Sequence, residues 1–365
     1  MSVPHHHLPF VDWLKTVGIS LIVYGHVAAA TTTTWTPPVY PKQLGVAFFV
    51  WAMGYTLAHE RRTVWRVLYN RSFEVLLFGT ACALLMSLIG LARSWDIAES
   101  NYLPLALGFN VFINAFPANP TTWFIGTYLH LLLLWAFLLR TTRITAWVLA
   151  GSCVLEILGR AVLIEFAGGY VAYMQLLNWL TVFLMGIAMG RRSPVPRQVH
   201  GIVPILAVAL VVCWPVALGY VTWKLTFPFM SPTSTSPGVA TLGTSLGASF
   251  VYLVYTYAAS QVALLCPRWR VVEFVAKNTL IVFIAHMPLY YGMEALLRPS
   301  VPDYALRVSI EFLVCLPGLA LASEAIRTVV RPKELREGLA LWLEARLPSL
   351  MTRYMVTRDR RRCGL

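Results

Sequence analysis

Residues 10–30, FVDWLKTVGISLIVYGHVAAA, form an apolar run of 21 residues that few polar groups interrupt. A helix that crosses a bilayer needs about 20 consecutive, mostly apolar residues. Similar runs recur along the chain of 365 residues, of which 58% are hydrophobic and only 12% are charged. Soluble domains carry about 25% charged residues. The sequence therefore predicts an all-α, polytopic membrane protein and excludes a water-soluble domain.

The hydropathy pattern predicts about ten transmembrane helices. Their ranges are 10–30, 44–59, 73–92, 121–139, 144–166, 170–190, 201–223, 239–265, 272–293 and 304–326. An apolar stretch at 103–116 is too short to cross, so we expect a re-entrant or interfacial segment there. We assign residues 1–328 to the transmembrane domain and residues 329–365 to a basic amphipathic tail.

Lys and Arg residues are concentrated in alternate connections between the predicted spans. One set of connections, which includes the tail from residue 327, holds 21 of them, whereas the other set holds 4. Because short loops rich in Lys and Arg stay in the cytoplasm, both termini are predicted to be cytoplasmic. A cleavable signal peptide ending near residue 30 is the alternative, but Asp12 and Lys15 stand where its apolar region should begin.

The formal net charge of +13 narrows the choice of partners. The basic residues lie beside apolar spans, where they set orientation and contact anionic headgroups, so we expect membrane lipid as a partner and no nucleic acid. In the tail, leucines recur every four residues from Leu335 to Leu347. This spacing predicts a helix that lies on the cytoplasmic membrane surface.

Ionisable and polar groups inside spans are the candidate functional residues, because a charge at the centre of a membrane helix costs about 2.5–3.5 kcal/mol. The set comprises Asp12, Lys15, His26, His130, Glu156, Arg160, Asn178 and His286. Glu156 and Arg160 stand four residues apart, which predicts an ion pair within one helix, with a substrate-facing role as the alternative. His130 and Asn178 are expected to form hydrogen bonds between helices.

Lys15 and His26 are predicted to share one face of the first helix. The eleven residues between them turn by about 1100°, close to three full turns, and rise about 16 Å. Asp12 falls on the same stripe. Side chains this far apart cannot touch, so they would hold different parts of one long ligand. His26 is suited to act as a general base near neutral pH, and an interhelical hydrogen bond is the alternative role. His286 is expected at the same depth in the ninth span.

Four arginines lie in the connection between the second and third spans or at the start of the third. They are Arg61, Arg62, Arg66 and Arg71. Arginines in a cytoplasmic loop set the orientation of neighbouring helices. They also bind phosphate groups well, so this set is equally suited to hold the phosphates of an acyl-carrier nucleotide. No metal site is expected.

Four stretches of the chain resemble the acyltransferase 3 family of integral membrane O-acyltransferases. Residues 11–26 resemble its first helix, in which a basic residue precedes an essential His by eleven positions. Residues 48–55 resemble its Phe-Phe-rich second helix, residues 123–125 its Trp-Phe-Leu signature, and residues 278–288 its late helix with a His-x-Pro pattern. The stretches stand in the family's order and extend over most of the chain.

The resemblance implies acyl-CoA as the donor, with acetyl-CoA as one example, and a hydroxyl of a glycan, a lipid-linked sugar or an antibiotic-like metabolite as the acceptor. It implies a catalytic His26, with His286 in the same site, in the inner membrane of a bacterium. The residues expected to bind the donor are Lys15, Asp12, Arg62, Arg66 and Arg71. Lys15 replaces the family's usual Arg, and Glu74 stands where a second Arg often follows Arg71.

We therefore expect a membrane acyltransferase that moves an acetyl or other short acyl group. A transporter or exporter is the rival hypothesis, because prolines and glycines such as Pro204, Pro215, Pro317 and Gly318 are typical of broken helices. A structural assembly subunit is the third possibility, but it leaves the aligned Lys15 and His26 without a role.

Overall fold

The computed structural model describes residues 8–28, 41–92, 101–116, 120–192, 209, 227 and 237–346. The regular elements in these ranges are all helical. The α-helices are α1 (Pro9–Val27), α2 (Pro41–Ala58), α3 (Val64–Ala92), α4 (Tyr102–Leu107), α5 (Asn110–Ile113), α6 (Trp123–Leu134), α7 (Ala146–Ala167), α8 (Gly169–Met174), α9 (Leu180–Arg192), α10 (Pro237–Ala263), α11 (Arg270–Ser300), α12 (Tyr304–Leu313), α13 (Leu319–Val330) and α14 (Pro332–Arg346).

Five stretches of helix within the described ranges have the length and apolar composition to cross a membrane. They are α3, α7, residues 238–263 of α10, α11, and the stretch Tyr304–Leu343, which takes in α12, α13 and most of α14. The all-α prediction is confirmed for the described residues. The number of ten spans and the cytoplasmic termini stay predictions. Apart from position 209, the seventh predicted span, 201–223, lies outside the described residues.

Helix α1 lies at the centre of the bundle, beside α2 and α11. Near its start, the Trp13 indole N–H donates to the Pro267 carbonyl (2.8 Å), and the Thr16 hydroxyl donates to the Val272 carbonyl (3.0 Å). Near its end, the His26 ring lies 5.0 Å from the His286 ring. Helices α1 and α11 therefore run parallel. This agrees with the predicted spans, because direction alternates from span to span and the first and ninth then share one direction.

Glycines allow close contact where α2 crosses its two neighbours. A Cβ added to Gly45 would overlap the Gly18 carbonyl of α1, and one added to Gly54 would overlap the Phe183 carbonyl of α9. Small residues at such crossings let helix backbones approach, which is a major source of packing energy within a membrane. These contacts hold α2 in a fixed position between α1 and α9.

Replacing Gly54 by leucine is expected to destabilise the bundle by at least 1–3 kcal/mol, because the added side chain must displace backbone rather than a flexible neighbour. The matched control is Gly151→Leu, since no atom lies within 4 Å of a Cβ at Gly151. Thermal unfolding of the purified variants in detergent, followed by size-exclusion chromatography, measures the difference. Equal midpoints for the two variants would contradict this packing.

The prediction of one continuous span over 170–190 is wrong. Helix α8 ends at Met174, and a 3₁₀ turn over Leu176–Trp179 precedes α9. Carbonyls freed by the break find donors: the Thr127 hydroxyl donates to Met174, and the Trp179 indole donates to Tyr173. Backbone that leaves a helix at membrane depth needs such partners, because no water is present to supply them.

A buried ion pair fastens α7 to α10 and to the turn before α9. Arg160 and Glu156 are both fully buried and in contact, which confirms the predicted pair. Arg160 also donates to Asn178 Oδ1 (2.6 Å) and to the Ser245 carbonyl (2.6 Å) and Ser249 hydroxyl (2.9 Å) of α10. Asn178 thus forms its predicted hydrogen bond between elements, and the pair has a structural role.

His130 does not form its predicted hydrogen bond between helices within the described part of the chain. Its ring packs against Phe112 of α5, with the centroids 5.1 Å apart, and its Nδ1 makes no hydrogen bond to any described residue. The expected short segment at 103–116 consists of the small helices α4 and α5, neither of which is long enough to cross a membrane.

The predicted helix of the tail is present as α14. It follows a break at Arg331, whose backbone adopts the left-handed conformation (φ 47°). The helix lies against α3, where the Tyr69 hydroxyl donates to the Arg336 carbonyl (2.7 Å) and Glu74 contacts Arg327 (3.2 Å) and Arg336 (3.8 Å). Glu74 thus joins α3 to the C-terminal helices. The division of domains at residue 328 and a position at the membrane surface stay predictions.

Candidate active site

Two imidazoles meet at the carboxyl end of α1. His26 lies in the last turn of α1, and His286 lies in the middle of α11. The ring centroids are 5.0 Å apart at an interplanar angle of 59°, and His286 is fully buried. The two rings, called the imidazole pair below, lie at one level of the bundle, as expected from the sequence.

Hydrogen bonds assign the tautomer of His286. Its Nδ1 lies 2.7 Å from the Phe283 carbonyl and 3.1 Å from the Val282 carbonyl. Carbonyl oxygens only accept, so Nδ1 carries the proton and Nε2 of the neutral ring keeps a lone pair. That Nε2 is buried and has no hydrogen-bond partner among the described residues. His286 therefore presents a basic nitrogen whose ring is held in place by its own helix.

His26 makes a different contact, because its Nδ1 lies against the Met287 sulfur. A thioether is a weak acceptor, so this contact orients the His26 ring and leaves its other nitrogen able to act as a base. The neighbouring Gly25 allows α1 to lie close to α2 at this point, since a Cβ there would lie 3.0 Å from the backbone nitrogen of Lys42.

Lys42 is one of the four basic residues in the sparser set of connections, and it lies near the imidazole pair. It is close enough to act electrostatically on both His26 and His286. One feature of the sequence could have indicated this position. Lys42 stands next to the start of an apolar span, so its charge lies near the end of the preceding helix. The partnership with the imidazoles depends on how α1 meets α2, and the sequence pattern does not contain that information.

Aromatic side chains line one side of the imidazole pair. Phe283 lies 6.0 Å from the His286 ring, 5.2 Å from Phe124 and 6.4 Å from Phe49, measured between centroids. These phenylalanines come from the late-helix, Trp-Phe and Phe-Phe stretches. With His26, all four stretches that carry the sequence resemblance meet at one place.

A second group of ionisable residues lies near the amino end of α1. Lys15 interacts electrostatically with Asp12 and with Arg71 of α3. The Arg71 guanidinium also contacts the Thr56 hydroxyl (3.5 Å) and hydrogen-bonds Tyr128. Lys15, Asp12 and Arg71 are called the Lys15 cluster below. Two cations around one carboxylate leave a net positive charge, which favours an anionic ligand.

The loop between α2 and α3 adds a carboxylate to this end of the bundle. Glu60 is partly buried, which by itself raises the pKa of its carboxyl, but two side-chain hydrogen bonds from Arg62 and the charge of Arg71 outweigh burial and hold that pKa below its usual range. Glu60 and Arg71 are 4.0 Å apart. The loop carboxylate is therefore ionised and connects Arg62 to the Lys15 cluster.

The five residues expected to bind a donor thus divide into two sets. Lys15, Asp12 and Arg71 come together, and Arg62 joins them through Glu60. Arg66 is exposed at the start of α3 and makes no hydrogen bond or ion pair within the described part of the chain. The Lys15 cluster and the imidazole pair lie about 16 Å apart along one unbroken helix.

Comparison with known proteins identifies a family for this chain. A family model described as an acyltransferase domain matches residues 8–323, a range that contains the imidazole pair and the Lys15 cluster. No curated protein and no solved structure matches the chain. The family match and the apolar helices make this chain an integral membrane protein. Because the matched range covers most of its length, the chain belongs to the acyltransferase 3 family.

Proposed function

We propose that this protein transfers an acetyl or other short acyl group from acyl-CoA to a hydroxyl of a glycan, a lipid-linked sugar or a secondary metabolite, in the inner membrane of a bacterium. The observation that carries the proposal is the imidazole pair at one end of α1, with a cationic cluster three turns away on the same helix. A CoA thioester is a long ligand with phosphates at one end and its reactive carbonyl at the other, so its chemistry suits the two positions.

The proposed reaction uses His26 as the general base. His26 takes the proton of the acceptor hydroxyl while the oxygen attacks the thioester carbonyl. Collapse of the tetrahedral intermediate breaks the carbon–sulfur bond, and the protonated imidazole returns the proton to the CoA sulfur. The products are an ester and free CoA thiol, so no proton is gained or lost overall.

His286 and Lys42 have distinct parts in this proposal. In the tautomer set by the Val282 and Phe283 carbonyls, His286 has an acceptor at Nε2 and no free donor. It therefore suits orienting the acceptor hydroxyl, and in this tautomer it cannot stabilise an oxyanion. Positive charge near the developing oxyanion lowers the barrier, and Lys42 is the cation that acts on both imidazoles.

The Lys15 cluster is proposed to hold the CoA phosphates. A lysine binds phosphate as a point charge, without the bidentate geometry of an arginine. Replacing Lys15 by glutamine is expected to raise KM for acetyl-CoA about 10- to 100-fold, because a hydrogen bond to a charged group contributes about 1.5–3 kcal/mol. Lys15→Arg should keep KM near the wild-type value.

Initial rates over a range of acetyl-CoA concentrations measure this effect. Arg66→Gln is the matched control, because it removes an exposed cation that makes no ion pair in the described part of the chain. If Lys15→Gln and Arg66→Gln changed KM equally, the placement of the phosphates would be incorrect.

Release of CoA tests the function itself. Purified protein in lipid nanodiscs is supplied with radiolabelled acetyl-CoA and an alkyl glycoside, and free thiol and labelled ester are measured together. We expect both products in equal amounts. A transporter would give neither product, and that outcome would overturn the proposal.

A further inference from the structure

A cluster of ionisable side chains lies beyond the imidazole pair and has no part in the mechanism above. It is formed by Tyr290 and Glu294 of α11 with Arg307 and Glu311 of α12. The Arg307 Nε lies 3.0 Å from a Glu294 oxygen, and the Glu311 carboxyl lies near that of Glu294. These four residues are called the carboxyl cluster below.

The carboxyl cluster is connected to the imidazole pair. Tyr290 and Glu294 follow His286 by four and eight residues, so they lie on a similar face of α11, about 6 and 12 Å further along it. The Cys315 thiol, one turn after Glu311, lies 3.8 Å from the His286 carbonyl. The Tyr304 hydroxyl donates to the Ala28 carbonyl (3.3 Å), two residues after His26.

Glu311 has a polar atom that the protein leaves open. The residue is 1% exposed, and its Oε1 is buried with no hydrogen-bond partner among the described residues. The other buried ionic network differs, because Glu156 Oε1 and Oε2 both accept hydrogen bonds. An unsatisfied buried acceptor destabilises the fold, so a donor from a ligand would offset that cost.

The charges of the cluster favour a neutral ligand. Two neighbouring carboxyl groups favour protonation of one of them, because like charges that lie close together repel. One carboxylate, one carboxylic acid and the Arg307 guanidinium then add up to zero. A cationic amine would gain little from such a site, whereas the hydroxyls of a polyol can donate to the open carboxyl oxygen.

We infer that the carboxyl cluster is the subsite that binds the non-reacting hydroxyls of a sugar-like acceptor. This inference rests on the proposed acyl transfer, and it assigns acceptor recognition to Glu311 and Glu294. The hydroxyl to be acylated lies at the imidazole pair. Neighbouring hydroxyls of the same acceptor extend along α11, where Glu311 Oε1 accepts from one of them.

Two acceptors with the same alkyl chain, one with a sugar ring and its hydroxyls and one without, test the subsite. KM is measured for octyl glucoside and for 1-octanol, with acetyl-CoA saturating and CoA release as the readout. In the wild type we expect a KM at least 10-fold lower for the glucoside. Glu311→Leu should raise KM for the glucoside about 10-fold and change KM for octanol less than 2-fold, because leucine removes both oxygens.

Glu311→Gln and Glu334→Gln complete the design. Glutamine keeps an acceptor oxygen, so Glu311→Gln should recover much of the preference for the glucoside, which a merely structural role would not predict. Glu334 is exposed on α14 and serves as the control, with no change expected. Equal shifts of the two KM values in Glu311→Leu, or no shift in either, would overturn the subsite alone. Absence of CoA release from the wild type would instead overturn the acyl transfer.

Discussion

Replacing His26 by alanine is expected to lower the rate of acetyl transfer by about 10²- to 10⁴-fold, the usual contribution of general acid–base catalysis. The loss should appear in kcat, since His26 is placed at the reacting atoms and the CoA phosphates are held about 16 Å away. KM for acetyl-CoA should stay within a few-fold of the wild-type value. Initial rates of CoA release, measured with purified protein in nanodiscs, give both constants.

His130→Ala is the matched control for this experiment. His130 is another imidazole in an apolar helix, but it packs against Phe112 and away from the imidazole pair. Its removal should leave kcat within about 3-fold of wild type, because His130 does not contact the reacting groups. If His26→Ala kept most of its activity, or if His130→Ala lost as much, the assignment of the base would be wrong.

Replacing Arg160 by methionine is expected to destabilise the protein by about 3–5 kcal/mol, because Glu156 would remain buried as an uncompensated charge. The double variant Glu156→Leu with Arg160→Met removes both charges and should recover most of that loss. Unfolding in mixed micelles as a function of denaturing detergent measures the free energies of unfolding.

The surface pair Lys277–Glu324 provides the control. Their side chains are 58% and 38% exposed, so Lys277→Met should cost no more than about 1 kcal/mol. A loss of 1 kcal/mol or less for Arg160→Met would mean that this network does not hold α7 to α10. A double variant as unstable as Arg160→Met would mean that the loss does not come from the unpaired charge of Glu156.

The features that could be predicted from sequence depend on the geometry of a single helix. The shared face of Lys15 and His26, the ion pair of Glu156 with Arg160, and the depth of His286 all follow from 3.6 residues per turn and the direction of a span. Each of these features can be read from the spacing of residues along one helix.

The features that could not be predicted depend on how helices meet. Lys42 reaches the imidazoles because glycines bring α1 close to α2, and Glu311 meets Glu294 because α12 packs back against α11. Neither contact leaves a periodic signal. The break before α9 was missed for a related reason, since Thr127 and Trp179 stabilise it from outside the predicted span.

The meeting of donor and acceptor at the imidazole pair is tested most directly by a cryo-electron microscopy structure with a non-transferable acyl-CoA analogue, in which a methylene replaces the thioester sulfur. The account predicts that the acyl carbonyl lies within about 4 Å of an imidazole nitrogen of His26 or His286, close enough for a hydroxyl held by that imidazole to attack it. It also predicts the phosphates beside Lys15 and Arg71. An analogue bound with its acyl group outside the bundle, or with its phosphates away from the Lys15 cluster, would contradict it.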